Sequence, residues 1–186
     1  MSPNSHPRIA LAVLGMTLAA AVPGQTPAAA PAAGFRAEYL AEVDDVGGKL
    51  VELAEAMPAD KYGWRPAPGV RSVGEVYMHV VAGDSTLPSF LGLERMKGIS
   101  RESEKTVTDK AQIVALLKKA IANAKAAGLA VTDADLDKRV KTFGDREMTE
   151  RQVLVRILVH MHEHLGQSIA YARMNGIVPP WSRSDS

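Results

Sequence analysis

Apolar residues recur every three or four positions in four long stretches of the chain, which is the spacing of a helix with one buried face. The first stretch covers residues 35–57 and is followed by Pro58, a residue typical of the position just after a helix. The other three cover residues 72–90, 109–128 and 149–176. Four long helices joined by loops predict an all-α protein, and specifically a four-helix bundle.

Short motifs mark where two of these helices begin. Residues 72–75 (Ser-Val-Gly-Glu) and 149–152 (Thr-Glu-Arg-Gln) fit the capping box. In this motif the first side chain accepts a hydrogen bond from the backbone N–H three residues on, and the fourth side chain accepts one in return. Residues 136–148 are charged and contain Gly144 and Asp145, a pair typical of turns. We therefore expect a turn flanked by short extended pieces between the last two helices.

The N-terminal segment has the pattern of an export signal. Residues 1–8 are weakly positive, residues 9–22 are mostly apolar, and small residues follow through Ala33, with an A-x-A cleavage option at residues 19–21. The alternatives are an uncleaved membrane anchor and a buried helix, although the apolar run is short for spanning a bilayer. We expect a secreted or periplasmic protein with no stable membrane insertion after signal cleavage.

The domain organisation follows from these patterns. We expect a signal peptide and an Ala/Pro-rich tether over residues 1–33, one folded domain over residues 34–181 and a disordered tail over residues 182–186. Aromatic residues make up 5% of the chain and the net charge is +1, so neither base stacking nor a basic patch points to a nucleic acid partner. Because the chain has no cysteine, thiol catalysis, disulfides and lipoprotein attachment are excluded.

Histidines provide the candidate chemistry. His160 and His164 are four residues apart and lie roughly 40° apart around one helix, whereas His162 is about 160° from His164 and points elsewhere. His79 borders the apolar stripe of the second helix, so two facing helices could bring it to the pair. Three neutral imidazoles can hold zinc or a similar ion and leave a position open for water or substrate. The alternative is that each is an ordinary core or surface histidine, since Glu163 stands directly before His164 and the HExxH order is absent.

The succession of motifs that contain these histidines resembles the DinB superfamily, the metalloenzymes of the DinB/YfiT-like fold. The resemblance covers residues 35–181. Its motifs are Trp64-Arg-Pro66, Arg71-Ser-Val-Gly-Glu75 leading to His79, His160-x-x-x-His164-x-Gly166-Gln167, and Tyr171-Ala-Arg-Met-Asn-Gly176.

The resemblance implies an up-and-down four-helix bundle, often a homodimer, with a site for a divalent ion such as nickel or zinc. The family's ligands fall on His79, His160 and His164, and its Gly-Gln element falls on Gly166 and Gln167. Gln167 lies beside His160 on the helical wheel and could orient a ligand or a bound water, or it could be a surface amide. Where many relatives carry Arg, this chain has Leu165, so no substrate contact of that Arg is carried over.

The implied activity is a reaction on a small molecule. Characterised members are transferases or isomerases that use low-molecular-weight thiols as co-substrates. Those thiols are cytoplasmic. An exported chain is therefore expected to be a metal-dependent hydrolase rather than a thiol transferase. The alternatives are a non-catalytic metal or small-ligand binder and a dimerising bundle with a vestigial site.

No catalytic base is identified from the sequence. Glu75 is used by the capping box, and Asp84, five residues after His79, is expected to be solvent-exposed. Trp64 and Trp181, the two tryptophans, could wall a small-molecule pocket or cap the apolar end of the bundle. Arg65 and Arg71 could attract an anionic substrate, although exposed arginines need no such role.

Overall fold

The computed structural model describes residue 31 and residues 33–183. Its four long helices are α1 (Phe35–Ala56), α2 (Val73–Thr86), α4 (Lys110–Ala130) and α5 (Glu150–Met174), and a one-turn helix, α3 (Ser103–Thr106), lies between α2 and α4. The predicted all-α four-helix bundle is confirmed. Two predicted segments lie largely outside the described residues. One is the signal peptide with its tether, of which residues 1–30 and 32 are not described, and the other is the tail, of which residues 184–186 are not described. Within the described part, no helix is both long enough and apolar enough to cross a membrane.

Both predicted capping boxes are present. The Ser72 hydroxyl accepts from the Glu75 N–H at 3.3 Å, and the Glu75 carboxylate accepts from the Ser72 N–H at 2.7 Å. Thr149 and Gln152 exchange the same two bonds at 3.1 and 2.8 Å. Because α2 and α5 carry the histidines, these caps fix the start of both histidine-bearing helices.

The core lies between the four long helices and is filled by their apolar stripes. Helices α1 and α4 pack especially closely at two glycines, since a Cβ on Gly128 would come within 2.5 Å of the Tyr39 ring and one on Gly47 would overlap Ile121. The Tyr39 hydroxyl donates to the Ala124 carbonyl at 2.8 Å, which satisfies its buried polar atom. The largest fully buried side chains are Tyr39, Tyr77, Leu50, Leu53, Met57, Met78, Ile113, Leu117, Leu154, Ile157, Met161 and Val43.

Contacts between helices give the relative directions of α1, α2 and α4. Arg36 at the start of α1 bonds Gly128 at the end of α4, so these two helices are antiparallel. Asn123 of α4 donates to the Asp84 carbonyl near the end of α2, so α2 and α4 run the same way. Residues 87–109 return the chain to the N-terminal end of α2, and this long connection packs α3 against α2.

The second predicted helix is shorter than the pattern indicated. Regular α-helix ends at Thr86, and residues Leu87–Leu91 form a 3₁₀ turn with Pro88 near its start. Proline lacks an N–H and its ring crowds the preceding turn, which accounts for the early end.

The expected turn before the last helix is a small hairpin. Strand β1 (Arg139–Lys141) pairs antiparallel with β2 (Glu147–Thr149). At its tip Phe143 packs edge-on against Phe90, with ring centroids 4.8 Å apart. The hairpin thus places an aromatic ring beside the end of α2.

Candidate metal centre

The bundle brings three histidines from two helices together. His79 comes from α2, and His160 and His164 come from successive turns of α5. The three ring centroids are 4.7 to 5.0 Å apart, and one nitrogen of each ring lies within 4.8 Å of the others. His160 and His164 are buried, and His79 is partly exposed on the open side of the cluster.

His79 is oriented by an acidic residue from α3. Its Nδ1 lies 2.7 Å from Glu104 Oε1, and the other oxygen of Glu104 accepts from Arg71 Nε at 2.8 Å. Although burial raises it, hydrogen bonds from His79 and Arg71 and their charges hold the pKa of Glu104 below its usual value. An ionised Glu104 keeps a proton on His79 Nδ1 and leaves Nε2 as the lone-pair donor. This is the carboxylate–histidine arrangement common around bound metals.

His164 is oriented by a chain of hydrogen bonds along α5. Its Nδ1 lies 2.9 Å from Gln167 Oε1, and Gln167 Nε2 donates to the Tyr171 hydroxyl at 3.0 Å. The Tyr171 hydroxyl donates in turn to the Arg71 carbonyl at 3.2 Å. Because the amide oxygen of Gln167 can only accept, Nδ1 of His164 carries the proton and Nε2 is free. Gln167 is thus an orienting residue in the structure rather than a surface amide.

His160 lies against the backbone of α2 at Gly83. Its Nδ1 is buried and has no hydrogen-bond partner within the described part of the chain. Burial, followed by the charges of His164 and His79, lowers the pKa of His160 to about 3. Burial also lowers the pKa of His164. Both imidazoles are therefore neutral near pH 7, which is the form that ligates metals.

The donor set fits a divalent ion. Metal-to-imidazole bonds of about 2.0–2.1 Å place two nitrogens on one ion no more than about 4.2 Å apart. The nitrogens lie within 4.8 Å, so a small inward rotation of the rings closes the set. Oriented Nε2 atoms on His79 and His164 and an unpartnered nitrogen on His160 are the features expected of such a site. The three-histidine group could hold a metal ion.

Substituting Gly83 with alanine tests the close packing at His160. A Cβ at this position would lie 2.7 Å from His160 Nδ1, so the ring must leave its place. We expect metal affinity to fall by at least about tenfold, comparable with loss of an orienting contact, and the unfolding temperature not to rise, because displacing the buried ring offsets the higher helix propensity of alanine. Isothermal titration with Zn²⁺ and thermal unfolding of the metal-free protein measure the two effects. Gly166→Ala on the exposed side of α5, where a Cβ meets nothing within 4 Å, is the matched control.

The remaining predicted residues lie around or away from the cluster. His162 is 44% exposed and bonds Glu42 at 2.9 Å on the outside of the bundle. Trp64 packs edge-on against Tyr171, with ring centroids 5.4 Å apart. It therefore contacts the Tyr171 end of the hydrogen-bond chain that starts at His164 and passes through Gln167. Trp181 is partly exposed in the turn Pro180–Ser182, which packs against α1.

The arginines suggested as substrate attractors are already engaged. Arg65 pairs with Glu75 at 3.2 Å and donates to the Val70 carbonyl at 2.7 Å. Arg71 pairs with Glu104. Their charges are therefore largely neutralised by partners within the fold.

The expectation that Asp84 is solvent-exposed is wrong. Its side chain is fully buried, and neither carboxylate oxygen has a hydrogen-bond partner within the described residues. Burial raises the pKa of Asp84 well above its usual value, so the folded protein favours the neutral form of this carboxyl group more than water does. A signal was present in the sequence, because Asp84 stands four residues after Val80 and three before Leu87 on the inward stripe of α2.

Sequence reasoning also missed Glu104. It lies 25 positions after His79, on a helical turn without a periodic apolar pattern. Nothing local in the sequence links the two residues.

Comparisons with known proteins show the family and the fold of this chain. The sequence model of the DinB superfamily matches residues 42–168, more than half of the chain. The chain belongs to the DinB superfamily. No curated protein matches it.

Solved structures similar to this DinB-superfamily chain share its fold. A DinB-like protein from Bacillus cereus ATCC 10987 is 21% identical with a TM-score of 0.65, over 76% of this chain and 93% of that one. A DinB-like protein from Bacillus subtilis is 22% identical with a TM-score of 0.60, over 80% and 99%. A conserved protein from Enterococcus faecalis is 16% identical with a TM-score of 0.62, over 77% and 98%. At these identities the likeness shows the fold alone.

Proposed function

We propose that this DinB-superfamily chain is an exported enzyme that uses a divalent metal, nickel or zinc, to hydrolyse a small molecule. The observation that carries the proposal is the convergence of His79, His160 and His164, with His79 and His164 held by Glu104 and Gln167. Both partners bind the Nδ1 side of their ring, so the Nε2 atoms of His79 and His164 remain available to an ion. Two such residues on one cluster support a ligand set.

The chain's own groups supply an oriented set of donors. Glu104 and Gln167 keep the protons on the Nδ1 atoms, and burial keeps His160 and His164 uncharged. A bound divalent ion would polarise a substrate oxygen or lower the pKa of a water. Both oxygens of Glu104 are occupied by His79 and Arg71, so we assign it to positioning His79.

We propose hydrolysis rather than thiol transfer because the N-terminal signal pattern predicts export away from cytoplasmic thiols. A non-catalytic metal or ligand binder is the second candidate. The engagement of both Glu104 oxygens favours it, because the carboxylate nearest to the cluster is not free to move a proton.

The test is an activity screen of the protein loaded with Zn²⁺ or Ni²⁺ against esters, amides and thiol adducts. We expect turnover of an ester or amide that needs the metal, is absent from His160→Ala and is retained by His162→Ala. Turnover of thiol adducts alone would contradict hydrolysis. One equivalent of bound metal without any turnover would favour the binder.

A further inference from the structure

The histidine cluster opens into a cavity that the sequence did not predict. Its volume is about 510 Å³, and His79 and His160 form one side of it. The lining also has an apolar part, which consists of Leu87 and Ile99 together with Phe143 from the hairpin tip. A ligand in this cavity would therefore meet both the histidines and a hydrophobic surface.

The polar part of the cavity lining is strongly cationic. Arg95, Arg101 and Arg156 line it, whereas Glu104 is the one acidic side chain among the described residues that do so. Both oxygens of Glu104 are already bonded to His79 and Arg71. The three arginines are thus not neutralised from within the cavity.

Arg156 is the best placed of these cations. It stands four residues before His160 on α5, so it lies on the same helical face and about 6 Å farther along the axis. Within the described residues it has no ion-pair partner. Arg95 donates to the Ser89 hydroxyl at 3.3 Å and has no ion-pair partner in the part of the chain that the structure describes. Arg101 interacts with the charge of the neighbouring Glu102 and is therefore partly balanced.

We propose that this cavity binds an anionic small molecule with an apolar body, its carboxylate or phosphate held by Arg156 and Arg95. The apolar body packs on Leu87, Ile99 and Phe143, and the reacting end reaches the histidines, which line the same cavity. The guanidinium group of arginine matches both oxyanions with paired hydrogen bonds. The assignment deepens the proposed function by naming the substrate class, and it rests on that function for the role of the reacting end.

Ligand binding to the metal-free protein tests the anion site without relying on catalysis. The probes are hexanoate, the neutral hexanamide of the same shape, and hexyl phosphate, each titrated calorimetrically. We expect hexanoate or hexyl phosphate to bind at least about tenfold more tightly than hexanamide, because a charge-assisted hydrogen bond is lost with the anion. If hexanoate binds more tightly than hexyl phosphate, the site prefers a carboxylate, and the reverse order indicates a phosphate.

Substitutions assign the anion contact to a residue. Arg156→Gln and, on a separate element, Arg95→Gln should each weaken anion binding by about tenfold, and Arg156→Lys should restore part of it. Arg173→Gln is the matched control, since Arg173 is exposed in the last turn of the same helix, far from the cavity. Unchanged anion affinity in both arginine variants, or equal affinity for hexanamide, overturns the proposal.

The outcomes separate the two proposals. Arginine-dependent anion binding in a protein whose metal-loaded form shows no turnover supports the anion site and counts against the enzyme. Metal-dependent turnover with no preference for anionic compounds supports the enzyme and overturns the anion site.

Discussion

Substituting His160 with alanine should abolish stoichiometric metal binding. The reason is geometric: His160 and His164 are adjacent on one face of α5, and two remaining imidazoles hold an ion far less tightly than three. We expect an affinity loss of more than about 100-fold, beyond the 10–100-fold typical for the loss of an outer orienting partner. His79→Ala should have the same effect although it lies on another helix. Elemental analysis after loading and dialysis, with chelator competition for affinity, measures the loss.

The control for this experiment is already in the same helix. His162→Ala removes an imidazole two residues away that bonds Glu42 on the outer surface. It should keep a full equivalent of metal with unchanged affinity. Retention of metal by His79→Ala, or its loss from His162→Ala, would show that the three-histidine cluster is not the ligand set.

Substituting Asp84 with asparagine should change how the stability of the metal-free protein depends on pH. Burial raises the pKa of Asp84 in the folded state above the value of about 3.9 expected in the unfolded chain. Between these two values the folded state holds a proton that the unfolded state has released. The free energy of unfolding therefore falls as pH rises from about 4 toward the folded-state pKa, by up to about 1.4 kcal/mol per pH unit.

The asparagine side chain does not ionise, so the variant lacks this fall in the free energy of unfolding with rising pH. The difference in unfolding free energy between Asp84→Asn and the parent should shift in favour of the variant between pH 5 and pH 7.5, at no more than about 1.4 kcal/mol per pH unit. Urea denaturation at the two pH values measures it. Asp60→Asn, at a largely exposed carboxylate beside Lys61, is the control substitution. If Asp84→Asn and the parent change in parallel, Asp84 ionises normally in the folded protein.

Local sequence patterns determined the helices because helix formation depends on neighbours within one or two turns. The predicted stretch 35–57 is α1 (Phe35–Ala56) within one residue, and both capping boxes stand where they were expected. The same periodicity placed His160 and His164 on one face of α5 and His162 on the other. The pairing of these two residues and the separation of the third follow from 3.6 residues per turn alone.

Only the tertiary structure decided how the parts of the site meet. The contact of Glu104 with His79 crosses from α3 to α2, and the cavity under Phe143 joins a hairpin tip to two helices. Asp84 is buried because of how α2 packs in the bundle, although a charged residue favours water. Periodicity fixes the angle of a side chain on its own helix. It does not fix how far each helix turns toward its neighbours or where a long connection returns, because these depend on burying apolar surface across the whole domain.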